Sequence, residues 1–410
     1  MYDVAIAFYA FIVRLASLFN KKAQKMLAGQ GKTFSVLAEN IDPQARYIWF
    51  HAASLGEFEQ GRPLIEKIRK EKPEYKILLT FFSPSGYEVR KDYPGADVVC
   101  YLPFDFRSNA RKFLDLAKPE IAIFIKYEFW MNYLNYLKKR SIPTYIISAI
   151  FRPDQIFFRW YGYRYRNVLN NFNWFFVQDE NSLKLLERLN HQNITISGDT
   201  RFDRVCEISG QRKKLPLIEK FVQPAGEKQL VLVAGSTWEK DEEILISYFN
   251  QHPEIKLIIA PHETKESRIT EVANRLRRPY CIYSQADEKE IEKVDCLIID
   301  CIGLLSSIYR YGEIAYIGGG FGAGIHNVLE AAVYGIPVLF GSNYGKFREA
   351  KELIALKGAF PVSNEADFSA RMNNFLVYTE LIQATGEKAK DYITQNIGAT
   401  QTIFDKVFPK

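Results

Sequence analysis

The chain opens on ten consecutive apolar positions, Val4 to Val13 (VAIAFYAFIV), broken by Arg14 and followed by LASLF and then Lys21, Lys22 and Lys25. A membrane-spanning helix needs roughly 20 such residues, and a secretory signal puts its basic residues before the apolar run, not after it. The pattern predicts an amphipathic helix lying in the plane of a membrane. Phe8, Phe11, Ile12 and Leu15 would then meet the acyl boundary while the lysines touch anionic headgroups. A helix packed on its own domain satisfies the same pattern.

From Tyr47 onward, short β-branched or aromatic runs alternate with amphipathic stretches. YIWFHA, a helix near 57–71, KILLTFF, a helix near 107–117, IAIFIKY, a helix near 129–139 and PTYIISAI follow one another. An aromatic helix near 155–170, NWFFVQD, a short helix and NITISGD complete this first series. Between about Val205 and Gly226 the chain turns polar and basic (SGQRKKLP, QPAGEK), and the rhythm restarts with QLVLVAGS, KLIIAP, YCIYS, DCLIID, IAYIGGG and PVLFG. Such alternation predicts two parallel, doubly wound sheets in two domains that face each other across a cleft. Chemistry is then expected in the turns that follow the carboxyl ends of the strands.

Composition changes this picture in three places. The 410 residues, 47% apolar and 25% charged, exclude a disordered chain and a small disulfide scaffold. A net charge of +6, spread along the chain, does not point to nucleic acid. The five cysteines (Cys100, Cys206, Cys281, Cys296, Cys301) form no C-x-x-C and no zinc-ligand spacing, which predicts buried thiols. The 14% aromatic content is the anomaly, and it gathers at the N-terminus and in QIFFRWYGYRYRNVLN. In that second cluster Phe157, Phe158, Trp160, Tyr161 and Tyr163 accompany Arg159, Arg164 and Arg166. Core packing of the rings and contact with lipid phosphates through the arginines are both compatible with it.

Several turns carry candidate chemistry. Ser54 and Glu57 fit the S-x-x-E capping box, in which each side chain bonds the other residue's amide. The same placement keeps a carboxylate ionised in the helix's positive end field, as a general base requires. Gly318 to Gly324 places five glycines in seven residues before a helix, which would offer bare N–H groups to a phosphate, although the dinucleotide fingerprint is not met. Asn327 and Glu330 read as a helix cap, with Glu330 also placed for ribose hydroxyls. Lys126-Tyr127-Glu128-Phe129-Trp130 puts Glu128 at the end of a strand. Arg201 is expected to face an anionic leaving group or to pair with Asp203. His262 is read as a ligand contact or a loop histidine, His51 as a core histidine, and Asp241-Glu242-Glu243 as a solvated helix face.

HAASLGE, KYEFWMN, SGDTRFD, VAGSTWEKDEE, IIAPHE and GGGFGAGIHNVLEAAVYGIPVLFG, in this order, resemble the 3-deoxy-D-manno-octulosonic acid (Kdo) transferases of lipopolysaccharide synthesis. The resemblance implies a GT-B glycosyltransferase fold of two Rossmann-like domains. It implies a membrane-associated helix at 1–25, an acceptor-binding domain at 26–205 and a CMP-sugar-binding domain at 206–410. It further implies work at the cytoplasmic face of the inner membrane, on CMP-Kdo as co-substrate and a tetra-acylated lipid A precursor as acceptor, with no metal. Glu57 matches the family's proton acceptor, and Arg201 stands where the family has a lysine supporting the transition state. Glu128 matches the second glutamate of a strand-end E-T-E-L-W, whose first glutamate is Lys126 here. In the nucleotide site, Pro261 and His262 replace a Pro-Arg, and Ile302-Gly303-Leu304 replace a Met-Gly-Glu. Asn327, Val328, Leu329 and Glu330 match the last nucleotide-binding segment with a Pro changed to Val. A GT-B enzyme with another nucleotide-sugar donor and a silent membrane-bound nucleotide-binding scaffold are the alternatives.

Overall fold

The computed structural model describes residues 2–163, 165–211, 213–223 and 229–409, which form two α/β units. The first comprises Met1–Asp203 and Ile397–Lys410, and the second Arg204–Asn396. The division lies two residues before the boundary expected from sequence. The last segment, expected in the second domain, belongs to the first.

Seven parallel strands build the sheet of the first unit: β1 (Arg46–Ala52), β2 (Tyr75–Phe81), β3 (Val98–Tyr101), β4 (Ile121–Ile125), β5 (Thr144–Ala149), β6 (Trp174–Val177) and β7 (Ile194–Ile196). Their spatial order is β3-β2-β1-β4-β5-β6-β7, so the winding reverses between β1 and β4. The continuous apolar runs of β1 and β4 are what a central strand covered on both faces demands, and all five residues of β4 are buried. Trp49 of β1 packs on Phe113, Phe124 and Tyr133 with ring centroids 4.8, 5.1 and 5.8 Å away. Burying each such ring contributes about 1.5–3 kcal/mol.

The second unit repeats the plan with β8 (Leu230–Thr237), β9 (Ile255–Pro261), β10 (Tyr280–Ile282), β11 (Cys296–Ile298), β12 (Ile314–Ile317), β13 (Val338–Gly341) and β14 (Ala359–Val362). The order is β10-β11-β9-β8-β12-β13-β14, with the reversal between β8 and β12. β3 and β14, each at a sheet edge, are the two strands that the hydrophobic pattern does not announce.

The N-terminal apolar run is the helix Tyr2–Ala16, and it is followed by a second helix, Lys21–Asn40, absent from the sequence reading. Ile6, Ala10 and Val13 are buried and join a cluster with Met26, Phe82, Tyr101 and Phe104. The helix start is tied down by polar contacts as well. Buried Asp105 accepts from the Tyr2 hydroxyl at 2.6 Å and from the backbone N–H of Asn132 and Tyr133 at 2.9 and 3.0 Å. Phe8, Phe11, Ile12, Leu15, Leu18 and Phe19 stay exposed, Phe19 at 92%. The helix packs one face on its own domain and leaves the other exposed. Among the described residues no helix is long and apolar enough to cross a membrane.

The aromatic segment near 155–170 is not one helix but three 3-10 turns, Ile156–Phe158, Trp160–Gly162 and Arg166–Asn171. Gly162 explains the first break, because a Cβ there would lie 1.7 Å from the Ile156 carbonyl oxygen. Phe157 enters the core, whereas Trp160, Tyr161 and Tyr163 are exposed. Arg166 donates to the backbone carbonyls of Phe157 and Arg159, and Arg159 to that of Asp154. These two arginines brace the turns; Arg164 lies outside the described residues.

Candidate active site

In an open parallel sheet, ligands sit beyond the carboxyl ends of the strands where the winding reverses. In the first unit that point lies between β1 and β4, and two predicted site segments follow these strands.

After β1, Ser54 precedes the helix Leu55–Glu71, and its hydroxyl bonds the Glu57 carboxylate directly. The expected capping box is absent, because neither side chain reaches a backbone amide. The serine spends its proton on Oε2 of Glu57 instead, which tethers that carboxylate, half-buried, in the first turn.

After β4, Lys126 takes a φ of 70°, an uncommon left-handed conformation for a residue with a Cβ. Its N–H still bonds the Ile147 carbonyl at 2.9 Å, so the ladder continues through the bend. Neighbouring Tyr127 has its hydroxyl pKa pushed up by burial, with the charges of Glu57 and Asp179 adding to the rise against Arg152. Glu128 is buried, its Oε2 2.6 Å from Trp130 Nε1 and 3.1 Å from His51 Nε2.

Arg201 pairs with Asp199, not with Asp203. Its Nε and Nη2 lie 2.9 and 2.7 Å from Asp199 Oδ2, and its backbone N–H bonds Oδ1 at 2.9 Å. Gln60, one turn beyond Glu57, also donates to Asp199, at 3.3 Å. Burial works to raise the Asp199 pKa, yet the Arg201 charge and hydrogen bonds, with Lys126, hold it below the ordinary carboxyl value. Asp203 is occupied elsewhere, accepting from the N–H groups of Gly398 and Thr400 at 2.6 Å each. The fold therefore gathers Glu57, Gln60, Lys126, Asp199 and Arg201, while Glu128 turns to His51 and Trp130. Gln60, Asp199, His51 and Trp130 are the functional candidates that sequence reasoning missed. His51 sits in an apolar run and Asp199 beside a more conspicuous arginine, so neither announces a polar role.

In the second unit the reversal lies between β8 and β12. Gly318 to Gly324 does not form the expected phosphate cradle. The N–H groups of Gly318, Gly322, Gly324 and His326 bond carbonyls of Gly235, Gly319, Gly319 and Gly318, and that of Gly319 bonds the Asp241 carboxylate at 2.9 Å. The glycines answer a packing demand instead. A Cβ on Gly318 would lie 2.2 Å from the Ser236 carbonyl oxygen, and one on Gly320 2.6 Å from the backbone of Gly341. The helix that follows, Leu329–Ala332, is a single turn of four residues.

Asp241 and Glu242 are buried, correcting their reading as a solvated face. Asp241 also accepts from Trp238 N–H and the Tyr316 hydroxyl, and Glu242 binds Thr237 and Arg268. They knit the ends of β8 and β12 to the helix Glu239–Gln251; only Glu243 of the three is exposed.

Above these ends the rings of Trp238, His262 and His326 stack, with centroids 4.6 Å apart in each pair. Trp238 Nε1 donates to His326 Nε2 at 3.2 Å. Burial and neighbouring His262 push the His326 pKa down to about 4, so this ring is neutral at physiological pH and suited to accept that bond. Beside it, Trp238, Lys240, Phe321, Ala323 and His326 help to line a cavity of about 480 Å³.

The other nucleotide-site candidates meet through one serine. Ser306 donates to Glu330 Oε2 at 2.7 Å, which links the turn just after Ile302-Gly303-Leu304 to the segment 327–330; Ile302 and Gly303 are exposed and Leu304 is half-buried. Asn327 accepts from Leu329 N–H at 3.2 Å and donates to Glu330 Oε1 at 3.1 Å, so the N-x-x-E reading as a cap is realised in part. Gly303 has φ +91° with open space around it. Pro261, Val328 and Leu329 are buried, the last two completely. They shape the site from beneath and offer no exposed side chain to a ligand.

The family model described as 3-deoxy-D-manno-octulosonic-acid transferase matches residues 26–204. A protein of that name from Aquifex aeolicus is 26% identical over 352 residues, 84% of this chain and 90% of its own length. The chain is similar to the Kdo transferases over most of its length. Among solved structures, the UDP-GlcNAc 2-epimerase of Neisseria meningitidis aligns with a TM-score of 0.61 at 14% identity, covering 89% of this chain and all of its own. The calicheamicin glycosyltransferase CalG4 aligns at 0.54 and 10% identity, covering 89% and 98%. These likenesses speak for the fold alone, which is the GT-B arrangement of two parallel-sheet α/β domains. The Kdo transferase model ends one residue past the division between the units, and so covers the whole of the first unit's sheet and its candidate residues.

Proposed function

We propose that this chain transfers Kdo from CMP-Kdo to a tetra-acylated lipid A precursor during lipopolysaccharide synthesis, without a metal. The observation that carries the reading is the Glu57 carboxylate tethered by Ser54 at a helix start, in the segment that matches the Kdo transferase model. Glu57 takes the proton from the attacking acceptor hydroxyl as its oxygen bonds the anomeric carbon of Kdo and the bond to CMP breaks. Arg201, its plane set by Asp199, meets the negative charge that grows on the leaving phosphate. Glu128 receives a hydrogen bond from a hydroxyl of the acceptor sugar and orients it. Segments 261–262, 302–304 and 327–330 hold the CMP moiety.

The uncovered face of the N-terminal helix, with Lys21 and Lys22 just beyond it, supports docking on the anionic cytoplasmic face of the inner membrane. An acyl-chain acceptor resides there. The test is incubation of the purified protein with CMP-Kdo and the lipid A precursor, followed by mass spectrometry. Kdo added to the lipid is the expected product, and neither adduct nor released CMP would overturn the reading. His262 in place of an arginine and Leu304 in place of a glutamate favour one second reading, another nucleotide-sugar donor. Competition decides it: CMP displaced by UDP would favour that reading.

A further inference from the structure

We propose that His51 and Trp130 are positioning residues that fix one oxygen of Glu128 and leave the other to accept from the acceptor's hydroxyl. The proposal rests on the role given to Glu128 above.

His51 is wholly buried in β1, and both ring nitrogens are engaged. Nδ1 lies 2.9 Å from Thr80 Oγ1 and Nε2 lies 3.1 Å from Glu128 Oε2. The distances select a tautomer. Thr80 Oγ1 already accepts from Trp49 Nε1 at 2.8 Å, and its own proton has a nearer acceptor in His51 Nδ1 than in the Phe50 carbonyl at 3.3 Å. Nδ1 then accepts, and the ring proton sits on Nε2, aimed at Glu128. Trp130 agrees, because its indole N–H lies nearer to Glu128 Oε2, at 2.6 Å, than to His51 Nε2, at 3.0 Å. Two N–H donors therefore converge on Oε2, and none of the described residues' hydrogen bonds reaches Oε1.

Each donor is itself held. Thr80 and Trp49 are buried in adjacent strands, and the Trp130 ring packs on Phe82 at 4.8 Å, beneath Tyr9 of the N-terminal helix. A carboxylate gripped at one oxygen by two fixed donors cannot rotate, which is what orienting a hydroxyl demands. The titratable groups that face Glu128 are His51 from β1, Tyr9 from the N-terminal helix and Tyr165 from the turns after β5. Burial raises the pKa of both tyrosine hydroxyls.

The experiment compares H51F, H51Q, W130F and E128Q in the CMP-Kdo transfer assay, with thermal unfolding as a check on the fold. Loss of one donor to a carboxylate is expected to lower kcat about tenfold to hundredfold, with KM for CMP-Kdo unchanged. The acid limb of the pH profile should move to higher pH in H51F and W130F, because fewer hydrogen bonds stabilise the carboxylate. H51Q, which keeps an N–H in reach of Oε2, should recover most of the rate. If H51F fails to fold, W130F decides, since it keeps the ring on Phe82. Folded variants with the parent's kcat and pH profile, beside an inactive E128Q, would overturn the positioning role alone. A fully active E128Q would instead overturn the role of Glu128, and this proposal with it.

Discussion

Asp105 ties the N-terminal helix to the first sheet, and replacing it with Asn tests how that tie responds to pH. Burial raises the pKa of its carboxyl to about 6 from an ordinary 3.8, with the charge of Asp3 adding to the rise, against hydrogen bonds from Tyr2, Asn132 and Tyr133. The folded protein therefore binds more protons than the unfolded chain between pH 4 and pH 6. By linkage the carboxyl's contribution to stability is fully present below pH 4 and is lost as pH rises through 6. At about 1.4 kcal/mol per pH unit the loss amounts to about 3 kcal/mol. D105N carries no titrating group, and its amide N–H must face one of the donors that now meet the carboxylate, at a cost of about 1–3 kcal/mol. The assay is urea unfolding of both proteins at a series of pH values, followed by circular dichroism. The stability advantage of the parent over D105N should shrink by about 3 kcal/mol between pH 4 and pH 7.5. An advantage that stays constant or widens with pH would show that the three hydrogen bonds outweigh burial and would refute the reasoning.

Three further outcomes are expected. E57Q should keep CMP-Kdo binding, read by calorimetry, while its turnover falls at least a hundredfold, as loss of a general base implies; unchanged turnover would remove Glu57 from the mechanism. G320A should destabilise the second unit by about 3 kcal/mol in thermal unfolding, because the added Cβ meets backbone that cannot rotate away. His326 titrates at about 4 in the fold and at about 6.5 when unfolded, so its contribution to stability is present above pH 6.5 and is lost as pH falls through 4. H326F should remove that dependence, and an unaltered acid limb of the stability curve would contradict the reading.

The hydrophobic pattern of β1, β4, β8 and β12 is strong enough to place these strands, and with them the turns that carry Glu57 and Glu128, from sequence alone; the strand order that sets the winding reversals is not legible there. The edge strands β3 and β14 are not announced by the pattern, although strands as short, such as β10 and β11, are. The aromatic segment 155–170 keeps a helical spacing of rings, but Gly162 packs against a carbonyl and breaks the run, a contact that no local pattern records. Polar partnerships were the least legible part. Ser54 could bond the Glu57 amide or its carboxylate, and Arg201 had an aspartate two positions away on either side. Asp203 is taken by the N–H groups of Gly398 and Thr400, far along the chain and outside any local pattern. The glycines of 318–324 mislead because bare backbone serves tight packing as well as it serves a phosphate.

The helix Ala399–Val407 gives the first domain a peculiar order of assembly. Ile403, Phe404 and Val407 lie in the same apolar cluster as Phe58, Ile65 and Ile68, yet they are translated after every residue of the second domain. Domains generally fold as units while the chain is still emerging from the ribosome. Here the intervening domain is whole before its predecessor's core can close. A nascent chain halted just short of Asp203's two amide partners, Gly398 and Thr400, therefore carries the whole second unit and a first unit whose core is still open.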